Sequence, residues 1–176
     1  MTKNLKNSMN NKDAEYWIDL LNLKKHPEGG YYCETFRSPE THSQAALPER
    51  FKGDRQLYSS IFFLLKGEEI SAFHYLHADE IWHFYEGSAI KTYTLDENGT
   101  LLIRRLGRNP SLNESHQLLV ENNKWFAAEM LDKSSFALVG CTTSPGFDFD
   151  DFFMGDRENL EKRFPEYRDL LVRLTY

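Results

Sequence analysis

Cysteine is scarce in this chain. Two residues, Cys33 and Cys141, among 176 do not make a disulfide framework, and neither belongs to a CxxC pair. Both are expected to behave as small buried hydrophobes. Basic charge is also in deficit. Lys and Arg number 21 against 27 Asp and Glu, a net charge of -6, so the basic face that a nucleic-acid partner requires is missing. No apolar run approaches the roughly 18 residues of a membrane span, and no membrane partner is expected. The opening MTKNLKNSMNNKD has no apolar core of a secretory signal. The expectation is a cytoplasmic protein. Internal repeats and a second domain boundary are likewise not evident. Residues 1–12 read as a flexible polar tail and residues 13–176 as one domain.

What is abundant is strand-forming material. Hydrophobic residues make up 40% and aromatics 14%, with 13 Phe and 9 Tyr, a composition that suits pleated, half-buried surfaces. Asp13 can cap a short helix carrying Ala14, Trp17, Ile18 and Leu21 on one stripe. Pro27 and the Gly29-Gly30 pair end it. Strands are then expected over 31–37, 57–66, 70–76, 80–87, 89–95, 100–106, 115–120, 125–131 and 135–143, with turn residues between them. Residues 38–54 and 145–156 read as loops. The segment 157–174 reads as helix, with Pro165 starting a second segment at a tolerated first-turn position. About nine short strands with helices at both ends predict an all-β sandwich or barrel with peripheral helices.

The stretch FHYLHADEIWHFYEG (73–87) gathers three histidines and three carboxylates. On a helix, Glu80-x-x-His83 would match a di-metal bundle, but such a bundle needs a second copy that the chain lacks. As two strands around Ala78-Asp79, side chains alternate faces. His74 then shares a face with Leu76, Tyr75 with His77, and Glu80 with Trp82 and Phe84. Ile81, His83 and Tyr85 take the opposite side. His74 and Glu80 can meet from adjacent strands; His77 joins them only if the turn rotates it inward.

Gly67, His74, Glu80 and Gly87 resemble the first motif of the cupin superfamily: glycine, spacer, His-x-His, a short gap, glutamate, six residues, glycine. The second histidine of that motif falls on Leu76. The best match to the second motif, ENNKWF (121–126), puts Phe126 where its histidine belongs. LNLKKHPEGGYYCETFRS (21–38), FHYLHADEIWHFYEG and GCTTSPGFDFDDF (140–152) more closely resemble the family-five cupins, a domain of unknown function. The resemblance runs from about Tyr16 to Pro165. It implies a double-stranded β-helix, or jelly-roll barrel, with an interior cleft, often a homodimer, and it supplies no agreed reaction. Two of four customary metal-ligand positions are apolar, and Leu and Phe have no lone pair to donate. A divalent metal would have to be held by His74, Glu80 and His77.

Three functional readings stay open. The first is a small polar metabolite, such as a sugar or sugar nucleotide, bound in the barrel by Trp82, Arg37, Glu34 and Tyr58. The second is a metal-independent isomerase or epimerase. His74 would be its base, Glu80 would orient it or act as acid, and Tyr58 or Tyr93 would return the proton. The third is the divalent-metal enzyme. Against all three stands a His74–Glu80 pair that only joins two strands. Glu34 and Arg37, at odd separation, are expected to face opposite ways. Arg37 could fork onto a ligand anion or pair with an aspartate of 148–151. Phe147, Phe149, Phe152 and Phe153 are expected to plug one end of the barrel with Asp148, Asp150 and Asp151 outward, and Trp125 to pack in the same core.

Overall fold

Asp13 opens the first element. Its carboxylate accepts a hydrogen bond from the Tyr16 amide at 2.9 Å, satisfying one orphan donor of helix α1, Ala14–Leu20. The computed structural model describes residues 12–176; the tail expected over 1–12 lies, but for its final residue, outside the described residues. Trp17, Ile18 and Leu21 pack on Leu23, Leu64 and Leu138, so α1 is held by its apolar stripe.

Two six-stranded sheets follow. The first runs in the order β1 (Lys24–Lys25), β2 (Tyr31–Arg37), β5 (Ser59–Lys66), β13 (Phe136–Ser144), β7 (Asp79–Gly87), β11 (Gln117–Val120). The second runs β10 (Glu114–Ser115), β9 (Leu101–Leu106), β8 (Ile90–Leu95), β12 (Trp125–Met130), β6 (Ile70–Leu76), β14 (Phe152–Met154). A short pair, β3 (Thr41–His42) with β4 (Arg55–Gln56), interrupts the expected 38–54 loop. Among the described residues no ladder joins the two large sheets. The jelly roll is therefore a sandwich with open edges, not a closed cylinder.

Alternation decides which side chains fill the interior. On β7, Glu80, Trp82 and Phe84 are buried while Ile81 and Tyr85 are exposed. Trp82, Phe84, Phe63, Phe126, Met130 and Val139 belong to the cluster between the sheets. The outer face of the second sheet is covered by α2 (Arg157–Arg163) and α3 (Arg168–Arg173), whose Leu160, Leu171 and flanking Leu174 bury against Phe73, Tyr93 and Ala127. Burying each such leucine contributes about 1.5–3 kcal/mol. Trp125 packs in this outer cluster, not in the core with the Phe147–Phe153 segment, because it alternates with Phe126. The helices split at Phe164, where Pro165 begins a new turn. No helix of the described residues is long and apolar enough to cross a membrane.

Candidate functional site

His74 and Glu80 lie six residues apart yet on different sheets. β6 sits between β12 and β14, while β7 sits between β13 and β11. The expected two-strand hairpin does not form; the chain crosses at His77-Ala78 from one sheet to the other. Both side chains face the interior, His74 at 3% exposure and Glu80 at 8%. Between the sheets is a cavity of about 470 Å3, lined by these two residues and by Trp82, Glu34 and Arg37 among others. That volume is within the usual range for small-molecule sites.

The turn HPEGG (26–30) adds two groups that sequence reasoning missed. Gly29 has φ +108°, and a Cβ there would lie 2.0 Å from the Ile70 carbonyl oxygen. Only glycine permits so close an approach to β6. The turn is tied down by the Ala72 amide, which donates to the Glu28 carbonyl at 2.8 Å. It delivers Glu28 and His26 into the cavity. The Ser71 hydroxyl donates to Glu28 Oε1 at 2.8 Å. Glu28 Oε2 lies 3.3 Å from His26 Nδ1 and 3.4 Å from His74 Nε2. His74 Nδ1 is 2.8 Å from the Ala72 carbonyl, which can only accept, so Nδ1 carries a hydrogen. His26 is wedged edge-on against Tyr32, Phe63 and Phe152.

The two buried carboxyls are driven apart. Burial pushes Glu28 up, but His74, His26 and the Ser71 hydroxyl outweigh it and hold the group below the ordinary carboxylate value. Burial pushes Glu80 up to about 7, and the negative Glu28 adds to that; Trp82, His74 and His26 only partly oppose it. The Trp82 indole N–H comes near Glu80 without completing a hydrogen bond. Cys141, also in the cavity wall, is pushed well above the ordinary thiol value by burial and by the same two carboxyls.

Other expected groups fall elsewhere. His77 is turned outward: its Nδ1 donates to Asn123 Oδ1 at 2.8 Å, and its ring contacts Tyr75, Phe51 and Phe153. It therefore cannot complete a set with His74 and Glu80. Tyr58 is 43% exposed and stacked on Phe36 at 5.3 Å, outside the cavity lining. Tyr93 is buried under the C-terminal helices, where its hydroxyl donates to Glu129. Neither tyrosine can return a proton here; among the described residues Tyr32 is the tyrosine that lines the cavity.

Glu34 and Arg37 both line the cavity, contrary to their odd spacing, because the β2–β5 register shifts between Glu34 and Phe36 and such a bulge re-aims side chains. Arg37 forks onto Glu34, Nη2 to Oε2 at 2.6 Å, and donates to the Phe147 carbonyl at 2.8 Å. The aspartate partner goes instead to Arg55, which bonds Asp151 through Nε at 2.6 Å and Nη2 at 2.9 Å, both side chains being buried. Asp151 is thus not outward. Phe147, Phe149 and Phe152 do roof the cavity. Phe153 points the other way and stacks on Tyr75 at 4.7 Å.

A metal centre does not fit these side chains. Leu76 and Phe126 hold two customary ligand positions. Phe126, 1% exposed, packs against His74 and Trp82 at ring distances of 5.8 and 5.0 Å. Among the described residues no three or more His, Cys, Asp or Glu side chains are arranged to hold an ion.

Comparison with known proteins bears on the family and the fold. The family model described as "Cupin superfamily (DUF985)" matches residues 15–155. A solved structure of a protein from Shewanella oneidensis shares 36% identity at a TM-score of 0.86, covering 94% of this chain and 99% of that one. A hypothetical protein from Leishmania major shares 26% identity at a TM-score of 0.84, with the same coverage. Oxalate decarboxylase from Bacillus subtilis is similar in fold alone, at 16% identity and a TM-score of 0.53, over 85% of this chain and 36% of that one. No curated protein matches the chain.

Proposed function

The chain belongs to the cupin superfamily family DUF985, and on that premise we propose that its cavity binds a small polar metabolite and that Glu80 moves a proton on it without a metal. A sugar-like molecule, bearing hydroxyls beside a carbonyl, is the ligand class. The observation that carries the reading is the pair of buried carboxyls, Glu28 and Glu80, lining one cavity. Two such groups pushed in opposite directions divide the roles of fixed charge and movable proton. Glu28 accepts from Ser71 and lies against two histidines, so it serves as the fixed charge. Glu80, at about 7, exchanges its proton near neutrality, where acid and base forms coexist.

This reading transfers the base from His74 to Glu80. The His74 imidazole is engaged at Nδ1 by Ala72 and faces Glu28 with Nε2, so it positions charge. A single carboxyl that takes a proton from the carbon next to a carbonyl and returns it on the same face of the resulting enediol supports isomerisation. Trp82 supplies an apolar wall with one polar handle.

The test uses a panel of small keto-sugars and hydroxy-ketones in deuterated buffer. Proton NMR should show deuterium entering the carbon beside the carbonyl of at least one compound. Glu80→Gln should abolish that exchange while keeping a ligand-induced rise in melting temperature. A compound that stabilises the fold with no exchange would reduce the reading to binding alone. Neither stabilisation nor exchange across the panel would remove it.

A further inference from the structure

A second concavity, a groove open to solvent, lies at the open seam of the sandwich. Here the edge-side strand β9 comes beside β11. Arg104 of β9 bridges the gap, its Nη2 donating to the Leu119 carbonyl at 2.7 Å. The space measures about 280 Å3, and its wall includes Thr94, Leu102, Arg104 and Leu119. It is separate from the cavity holding Glu80. Thr94 pairs with Phe126, and Phe126 pairs with His74. Directly opposed residues share a face, so the Phe126 ring stands between the two spaces.

Two polar atoms in this wall have no partner among the described residues: the Thr94 hydroxyl and Arg104 Nε, both buried. Thr94 as a whole is only 5% exposed. Buried donors left unmatched are costly and uncommon. The charge on Arg104 has no carboxylate bonded to it: its bond within the fold goes to a neutral carbonyl, and Glu121 acts on it only through space. The nearby acids are occupied. Asp96 accepts from the amides of Asn98 and Thr100, and Glu121 is bonded to Lys124. Flanking this polar centre are Leu102 and Leu119, half-exposed.

We propose that the seam binds a small aliphatic monocarboxylate. Its carboxylate would sit on the planar guanidinium fork of Arg104 and the Thr94 hydroxyl, and its alkyl end against Leu102 and Leu119. A carboxylate matches the fork's two parallel donors. Asp96, Glu121 and Lys124 also border the space, so beyond Arg104 its walls carry no surplus of positive charge, and a doubly charged phosphate gains less there than a singly charged carboxylate fitted to the fork.

The experiment is calorimetric titration of the whole protein with sodium butyrate at fixed ionic strength, with inorganic phosphate as the comparison. Saturable butyrate binding is expected, weakened about tenfold or more by Arg104→Gln, equivalent to ~1.4 kcal/mol. Because Arg104 also joins two strands, Thr94→Val provides a second variant. It should weaken butyrate severalfold while the melting temperature of the free protein is kept or raised, because the unpaired hydroxyl is gone. Glu80→Gln should leave butyrate affinity intact, which separates this site from the cavity. NMR shifts on titration should centre on Thr94, Leu102 and Leu119. Non-saturable titration would overturn the proposal. So would affinity indifferent to both seam variants, shifts centred on His74 and Glu80, or phosphate binding as tightly as butyrate.

Discussion

Glu28 and Glu80 approach one cavity from different parts of the fold, the first on a glycine turn and the second on strand β7. The charge of Glu28 is, after burial, the main reason the Glu80 carboxyl is raised. Their roles are therefore coupled, and a change at one is legible at the other.

Glu28→Gln removes that charge while keeping the shape. The titration midpoint of Glu80, followed by carbon-13 NMR of its carboxyl, should fall; burial keeps it above the ordinary value. An unmoved midpoint would show that the two groups do not sense each other.

The stability of the fold should carry the signature of Glu80. Its folded pKa is raised, so the unfolded chain releases the proton first as pH rises. Stability from this group is lost between about pH 4.5 and 7. At about 1.4 kcal/mol per pH unit, the penalty reaches up to ~3 kcal/mol. Glu80→Gln escapes it. In urea unfolding the variant should exceed the native protein in stability at pH 8 and match it near pH 4.

Glu129 behaves oppositely. Burial raises it, but bonds from Tyr93, Arg173 and Lys133 bring it down to about 2. Its stabilisation is complete above about pH 4.5 and disappears as pH falls toward 2. Since it fastens α3 to β12, Glu129→Gln should cost up to ~3 kcal/mol at pH 7 and nothing near pH 2. Equal losses at both pH values would contradict the assignment.

Asp151→Asn should be severe. It leaves Arg55, 4% exposed, without its charge partner, a loss of about 3–5 kcal/mol. The paired replacement Arg55→Met with Asp151→Leu should recover most of that stability. Because Asp151 anchors the segment that carries Phe147 and Phe149, the single variant should also change the fluorescence of Trp82. A single variant as stable as the pair would refute the argument.

Chelator-treated native protein should take up no stoichiometric manganese or nickel. The double variant Leu76→His with Phe126→His should bind one ion, by calorimetry and elemental analysis. Stoichiometric uptake by the native chain, lost on Glu80→Gln, would reverse the conclusion about the donor set.

Much of the fold is written in short-range pattern. Residues 31–37 and 70–76 form strands with the borders their alternation marks, and Asp13 caps the helix its position predicts. The face shared by Glu80, Trp82 and Phe84 was readable for the same reason. Less was legible where tertiary contact decides. Strand β14 hides in the Phe-Asp alternation of 145–156 because its pairing with β6 gives no local signal. Glu28 carries no pattern signal of its own. Only the glycine contact against Ile70 places it inside, and the consecutive glycines of HPEGG were the available clue. Glu34 and Arg37 share a site because of a bulge, which strict alternation cannot foresee.

Phe126 has a consequence for how such a barrel can change. Its ring fills room that a bare imidazole would leave partly void, and Leu76 does likewise. Histidine at either position alone would bury a polar ring while one customary ligand position stayed apolar and partners were short, a burden of about 1–3 kcal/mol. Only both together would be rewarded. Apolar occupancy of these two positions therefore works as a ratchet: a lineage can move single step by single step within the greasy state, but must leap to leave it.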